Sequence, residues 1–235
     1  MAASNKISKK RLLDSKRKLI TKYDPKSPIS EQYRTIRTNI LFSSVDEEIR
    51  TLMVTSSGPG EGKSTTAANL AIVFAQQGKT VLLVDADLRK PTVHYTFNTL
   101  NTSGLTSVLT NQMQLMEAVQ TDDEKNLFVL PSGPIPPNPS ELLSSRAMQY
   151  FMEQALEEFD MILFDTPPVL AVTDAQILAN ICQGSVLVVN SGNTEKESLI
   201  KTKEFLSASK GKILGVVLNN KRQDKNTNYY YYGTN

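Results

Sequence analysis

One cysteine and one histidine stand among 235 residues. Cys182 alone cannot make an internal disulfide or a multi-cysteine metal site. His94 alone leaves little room for a zinc cluster or a Ser/His/Asp triad. No apolar run approaches the roughly 18 residues of a membrane span. Met1 to Lys22 is basic and polar and lacks the apolar core of a signal peptide. These absences predict a cytoplasmic chain in which Cys182 is a buried, inert thiol within an apolar helical stretch. Charge of one sign is also scarce: the net balance is +2, which alone predicts no nucleic-acid partner. With 40% hydrophobic and 21% charged residues, the composition is that of a folded globular chain and argues against global disorder.

The charge that is present is unevenly placed. Lys6, Lys9, Lys10, Arg11, Lys16, Arg17, Lys18 and Lys22 face only Asp14 and Asp24 near the start. Residues 1–27 therefore read as a basic arm, either solvated or docked on an anionic membrane surface or acidic segment. After Asn220 the chain runs KRQDKNTNYYYYGTN, with no apolar period, so residues 221–235 read as a flexible tail.

Residues 28–220 alternate strands and helices. The strands are Arg50 to Thr55, Thr80 to Val84, Leu127 to Leu130, Met161 to Phe164, Ser185 to Val189 and Lys212 to Leu218. Helices are expected over Lys63 to Gln77, from a capping Ser140 to about Glu158, and over Glu195 to Ala208. Pro134 to Pro139 fits neither helix nor central strand. Continuous apolar strands alternating with helices imply burial on both sheet faces. The expected fold is α/β, a mostly parallel central sheet with helices on both faces.

Ser57-Gly58-Pro59-Gly60-Glu61-Gly62-Lys63-Ser64 links the first strand to the first long helix, the context of a P-loop in a P-loop NTPase. Its glycines let backbone N–H groups turn toward phosphate oxygens, and the helix N-terminus adds positive potential. Gly58 through Thr65 are the expected nucleotide-binding stretch, Lys63 reaching the β- and γ-phosphates and Ser64 ligating Mg²⁺. The motif departs from pattern once, with Ser57 at its first glycine position. Two further strands end in acids: Asp85 and Asp87 after VLLV, and Asp165 after MILF. Three neighbouring carboxylates need compensating cations, and Lys63 and Mg²⁺ supply them. As a P-loop lysine, Lys63 is expected to be a solvent-facing group.

Together these segments resemble the bacterial tyrosine kinases of the capsule type. The shared motifs are a Walker A loop (Gly58 to Ser64), a Walker A′ segment (Val81 to Arg89), a Walker B segment (Met161 to Pro168) and a C-terminal tyrosine cluster (Tyr229, Tyr230, Tyr231 and Tyr232). Glu31-Gln32-Tyr33-Arg34-Thr35-Ile36-Arg37 matches the family's Glu-x-x-Arg-x-x-Arg motif. The resemblance runs from about residue 28 to the C-terminus. It implies an ATP- and Mg²⁺-dependent protein-tyrosine kinase that autophosphorylates its tyrosine cluster in trans, phosphorylates cytoplasmic proteins and acts in capsule or exopolysaccharide synthesis. It implies a separate cytoplasmic kinase, recruited to the inner face of the membrane by a transmembrane activator. A cognate tyrosine phosphatase, substrates such as UDP-sugar dehydrogenases, and a homo-oligomeric ring, with an octamer as a candidate size, joined through Glu31, Arg34 and Arg37 are also implied. In that reading Ser64, Asp87 and Asp165 hold the metal and Asp85 is the base, though Asp85 and Asp87 could exchange roles. Asn219 and Asn220 are candidates for the adenine site by the same analogy.

The rival class is a MinD/ParA-like ATPase switch. Its signature is a second lysine after the loop's first residue, and Gly58 stands there. A guanine-reading Asn-Lys-x-Asp is missed by one residue in Asn220-Lys221-Arg222-Gln223-Asp224. A scaffold that merely binds nucleotide is disfavoured by the complete acidic set.

Overall fold

Three runs, TLMVTS, VLLVD and MILFD, are buried at every position and make the centre of a seven-stranded sheet. The computed structural model describes residues 19–43 and 48–221. Its strands are β1 (Thr51–Ser56), β2 (Val81–Asp85), β3 (Gln120–Thr121), β4 (Leu127–Leu130), β5 (Met161–Asp165), β6 (Gly184–Asn190) and β7 (Lys212–Asn219), in spatial order β3-β4-β2-β5-β1-β6-β7. All pairings are parallel except β3 with β4. The expected mostly parallel α/β sheet is therefore present.

The described helices are α1 (Ile20–Tyr23), α2 (Pro28–Phe42), α3 (Lys63–Ala75), α4 (Val93–Phe97), α5 (Leu105–Leu109), α6 (Leu115–Ala118), α7 (Pro139–Leu143), α8 (Arg146–Glu158), α9 (Asp174–Ala179) and α10 (Lys196–Ser207). They cover two hydrophobic layers. Leu70, Phe74 and Ile72 of α3 pack with Leu83 and Leu163 on one face. Met148 and Phe151 of α8 pack with Leu82 and Phe164 on the other. Burying apolar side chains on both faces is what confines such a sheet to the interior.

Several expectations need correction. The packed body starts earlier than residue 28: Leu19 and Thr21 are buried and α1 lies on α3. The helix expected from Ser140 to Glu158 is two helices, because Ser145 accepts from the Met148 N–H and starts a new one at Arg146. Asn138, not Ser140, precedes the first of them, and Pro139 occupies its first turn, where a missing N–H costs nothing. Cys182 is buried as expected, but it sits in the turn before β6 rather than in a helix. Burial pushes its thiol pKa up. The last strand, β7, is an open edge with Val216 and Leu218 about half exposed, so burial on both faces fails there. The short polar β3 carries no apolar run and was not legible as a strand.

Candidate active site

The site forms where β1, β2 and β5 end side by side. Val54 of β1 pairs with Asp165 of β5, and Asp85 of β2 pairs with the same Asp165, so three chain segments deliver their next residues to one edge. That is where ligands bind in open parallel sheets. The loop after β1 turns into α3 through Gly60 (φ 77°) and Gly62 (φ 97°), both in the left-handed region. Gly62 is further constrained: a Cβ there would stand 2.1 Å from Asn219 Nδ2.

Lys63 closes the acidic cluster. Its Nζ donates to Asp87 Oδ2 at 3.1 Å, to Asp165 Oδ1 at 3.4 Å and to Ser64 Oγ at 3.2 Å. The side chain is only 11% exposed, so the lysine is enclosed rather than solvent-facing. Burial lowers its pKa, but Asp165 and Asp87 beside it outweigh that and raise it on balance. Asp85 is fully buried. Its Oδ2 accepts from the Thr92 and Val93 N–H groups, both at 2.9 Å, at the start of α4. Burial, reinforced by the Asp165 charge, pushes the Asp85 pKa up to about 7. Asp165 is also raised, chiefly by burial, although Lys63 and the Ser64 hydroxyl oppose the shift. Asp85 Oδ1 and Asp165 Oδ2 are buried without a hydrogen-bond partner. Such orphaned acceptors suit a bound cation. Among the described residues no three His, Cys, Asp or Glu side chains form a metal cluster by themselves. The Ser64 hydroxyl with the Asp87 and Asp165 carboxylates is an oxygen donor set of the kind that would suit Mg²⁺ beside a phosphate.

The P-loop is braced by contacts to distant residues that local sequence did not single out. Glu61 turns inward: Oε2 accepts from the Ser57 N–H at 3.1 Å and Oε1 from the Thr194 hydroxyl at 2.8 Å. Ser57, the departure from pattern, receives the Thr202 hydroxyl on its own at 3.0 Å. Arg89 grips buried Asp174 through Nε at 2.9 Å and Nη2 at 3.0 Å, tying the segment after β2 to α9. Arg89 lay within a recognised motif, but Thr194, Thr202 and Asp174 carry no local signal and become legible only in space.

Other expected site residues fall less simply. Asn219 Nδ2 donates to the Glu61 carbonyl at 3.0 Å, so its amide supports the loop. Asn220, at φ 56°, donates to Asn190 Oδ1 at 3.2 Å. Gly58, Pro59 and Thr65 lie along the loop and the first turn of α3 as expected. Glu31 pairs with Arg34 of its own helix, and Arg34 also donates to the Pro25 carbonyl at 2.7 Å. Arg37 does not share their outward direction; it donates to the Val73 carbonyl of α3 at 2.7 Å. Tyr229 to Tyr232 and the arm residues before 19 lie outside the described residues.

The comparisons with known proteins agree with this geometry. A family model described as an AAA domain matches residues 49–205. The tyrosine-protein kinase YwqD of Bacillus subtilis (strain 168) is 60% identical over 93% of this chain and 92% of its own length. The chain belongs to this family of tyrosine-protein kinases. The crystal structure of the chimerical protein CapA2B2 superposes with a TM-score of 0.86 at 46% identity, covering 88% of this chain and 91% of that one. The cell division ATPase MinD of Pyrococcus furiosus is more distant, with a TM-score of 0.62 and 26% identity over 72% of this chain and 71% of that one. The P-loop NTPase fold is thus shared with the rival class, while the closer likeness is to the kinases.

Proposed function

We propose that this kinase transfers the γ-phosphoryl group of ATP to tyrosine hydroxyls, first on the Tyr229 to Tyr232 cluster of a neighbouring copy and then on other proteins. The observation that carries the proposal is Lys63 Nζ held between Asp87 and Asp165, with buried Asp85 alongside. Phosphoryl transfer demands mainly positioning and charge neutralisation. Lys63 balances charge on the γ-phosphoryl group and on the oxygen that leaves with ADP. Ser64, Asp87 and Asp165 would hold Mg²⁺, which when bound neutralises phosphate charge. Asp85 takes the tyrosine proton as the phenolic oxygen bonds to phosphorus and the bond to the ADP oxygen breaks. A carboxyl with pKa about 7 suits that task at neutral pH. Asn219 and Asn220 stand at the end of β7 as the proposed adenine side.

The tail spans about 12 residues from Asn220 to Tyr232, enough at ~3.3 Å each to extend roughly 40 Å into another copy's site. Four phosphotyrosines would add about −6 to −8 of charge and loosen an assembly built around them. The proposed wider setting is a ring joined through Glu31 and Arg34, with a transmembrane activator, an opposing tyrosine phosphatase and sugar-nucleotide dehydrogenases as substrates in polysaccharide synthesis. Among the described residues no helix is long and apolar enough to cross a membrane, in keeping with recruitment by a partner.

The test supplies Lys63→Met chains as substrate to active chains lacking residues 229–232, with radiolabelled ATP. Label on the Lys63→Met tail is the expected result. Free phosphate without labelled tyrosine would favour the ATPase switch, and no transfer between copies would end the trans reading.

A further inference from the structure

Asn69 is unexpected in the apolar run of α3. It is fully buried, in a helix whose other inward residues are, apart from Thr66, alanine, leucine, isoleucine, valine and phenylalanine. Asparagine is a poor helix former, and a buried amide must be hydrogen-bonded. Its partners come from opposite directions. Oδ1 accepts from the Thr21 N–H at 3.1 Å and from the Thr21 hydroxyl at 2.8 Å. Nδ2 donates to the Thr65 carbonyl at 2.8 Å, next in sequence to Ser64. Side-chain bonding to the carbonyl one turn back adjusts the local helix geometry.

One more bond reaches the same helix: Arg37 donates to the Val73 carbonyl. Tyr33 of α2 packs against the same apolar layer. Asn69 and Val73 are spaced i, i+4, one stripe of α3, and both are held by residues 21–37. Gln76 prolongs the contact by donating to the Thr21 carbonyl at 3.2 Å. On the far side of α1, Lys22 pairs with Asp122 at 2.6 Å, so this segment is anchored beyond α3 as well.

We infer that the segment from Thr21 to Arg37 is a clamp on the P-loop helix, in which Thr21 and Asn69 are positioning residues that hold the first turn of α3, and with it Lys63 and Ser64, in register with Asp87 and Asp165. A displacement of about 1 Å at such a site costs on the order of 10²-fold in rate, so the clamp governs transfer more than nucleotide capture. The segment also carries Glu31 and Arg34, so assembly through those residues would reach the site through the same stripe. This inference rests on the kinase reading only for its rate prediction.

The test uses the full chain with Thr21→Val, which removes the hydroxyl bond but keeps the backbone one, and Thr21→Ser, which retains both. Amide hydrogen exchange over residues 63–67, Mg²⁺-free ADP affinity, and kcat and KM for tyrosine labelling are measured together. In Thr21→Val, exchange in that turn rises about tenfold, the size of one lost hydrogen bond. kcat falls about tenfold while ADP affinity and KM for ATP change less than twofold, and Thr21→Ser restores both exchange and kcat. Wild-type exchange in Thr21→Val would overturn the clamp, as would loss of kcat and ADP affinity in step. Raised exchange in a chain that labels no tyrosine would support the clamp while rejecting the kinase reading.

Discussion

β2 and β7 are written in similar letters, VLLVD against KILGVVLN, yet one is sealed at every position and the other is open at half of them. β2 lies between β4 and β5, whereas β7 pairs only with β6. The sealed region is where a carboxylate can be held with a raised pKa, because burial withdraws the solvent that would stabilise the charge of Asp85 and Asp165. At the open edge, Val216 and Leu218 meet solvent. Chemistry is built at the first place, and the contrast can be broken or sharpened by substitution.

The largest effect is expected from Lys63→Met. Phosphotransfer should fall by at least about 10²- to 10³-fold in a radiolabel assay, the scale of losing one positioned charge-stabilising donor. Because Lys63 is enclosed among carboxylates, stability in the absence of nucleotide should also fall, by about 3 kcal/mol at neutral pH in denaturant titration. The deficit should shrink in acid as those carboxyls protonate. Unchanged stability would show that the lysine contributes nothing to holding the cluster.

Leu163→Ala, in the sealed centre, should cost about 2–5 kcal/mol. Gly62→Ala forces a Cβ into the left-handed region and against Asn219, so about 1–3 kcal/mol and weakened ADP binding are expected from thermal melts and titration calorimetry. Asp85 gives a pH signature. Its folded pKa of about 7 lies above the unfolded value, so its contribution favours folding in acid and is lost as pH rises from about 4 through about 7. Asp85→Asn should flatten that part of the stability profile and abolish tyrosine labelling; a retained slope would assign it to another group. Val216→Ala, on the open edge, should change stability by less than about 0.5 kcal/mol. A cost as large as that of Leu163→Ala would show that β7 is covered in solution.

Much of the fold and the centre of the site were legible in order along the chain. Apolar runs ending in acids, glycines between a strand and a helix, and Lys63-Ser64 at the helix start are local signals, because each depends on backbone geometry within a few residues. Their convergence also followed, since parallel strands bring their C-terminal ends to one edge. The break before Ser145 and the start of the packed body at Leu19 were missed because a cap and a docked four-residue helix have weak local signatures.

What sequence alone left open were relations between distant residues. Arg37 reads with Glu31 and Arg34 as one interface motif, but the α2–α3 packing turns it to the Val73 carbonyl. Glu61 reads as part of the nucleotide-binding loop, but Thr194, far along the chain, makes its side chain a brace. The strand-end aspartates were readable as a set. That Asp85 and Asp165 stand in register, buried and short of partners, was decided by strand order and close packing, because desolvation acts through neighbours in space rather than along the chain.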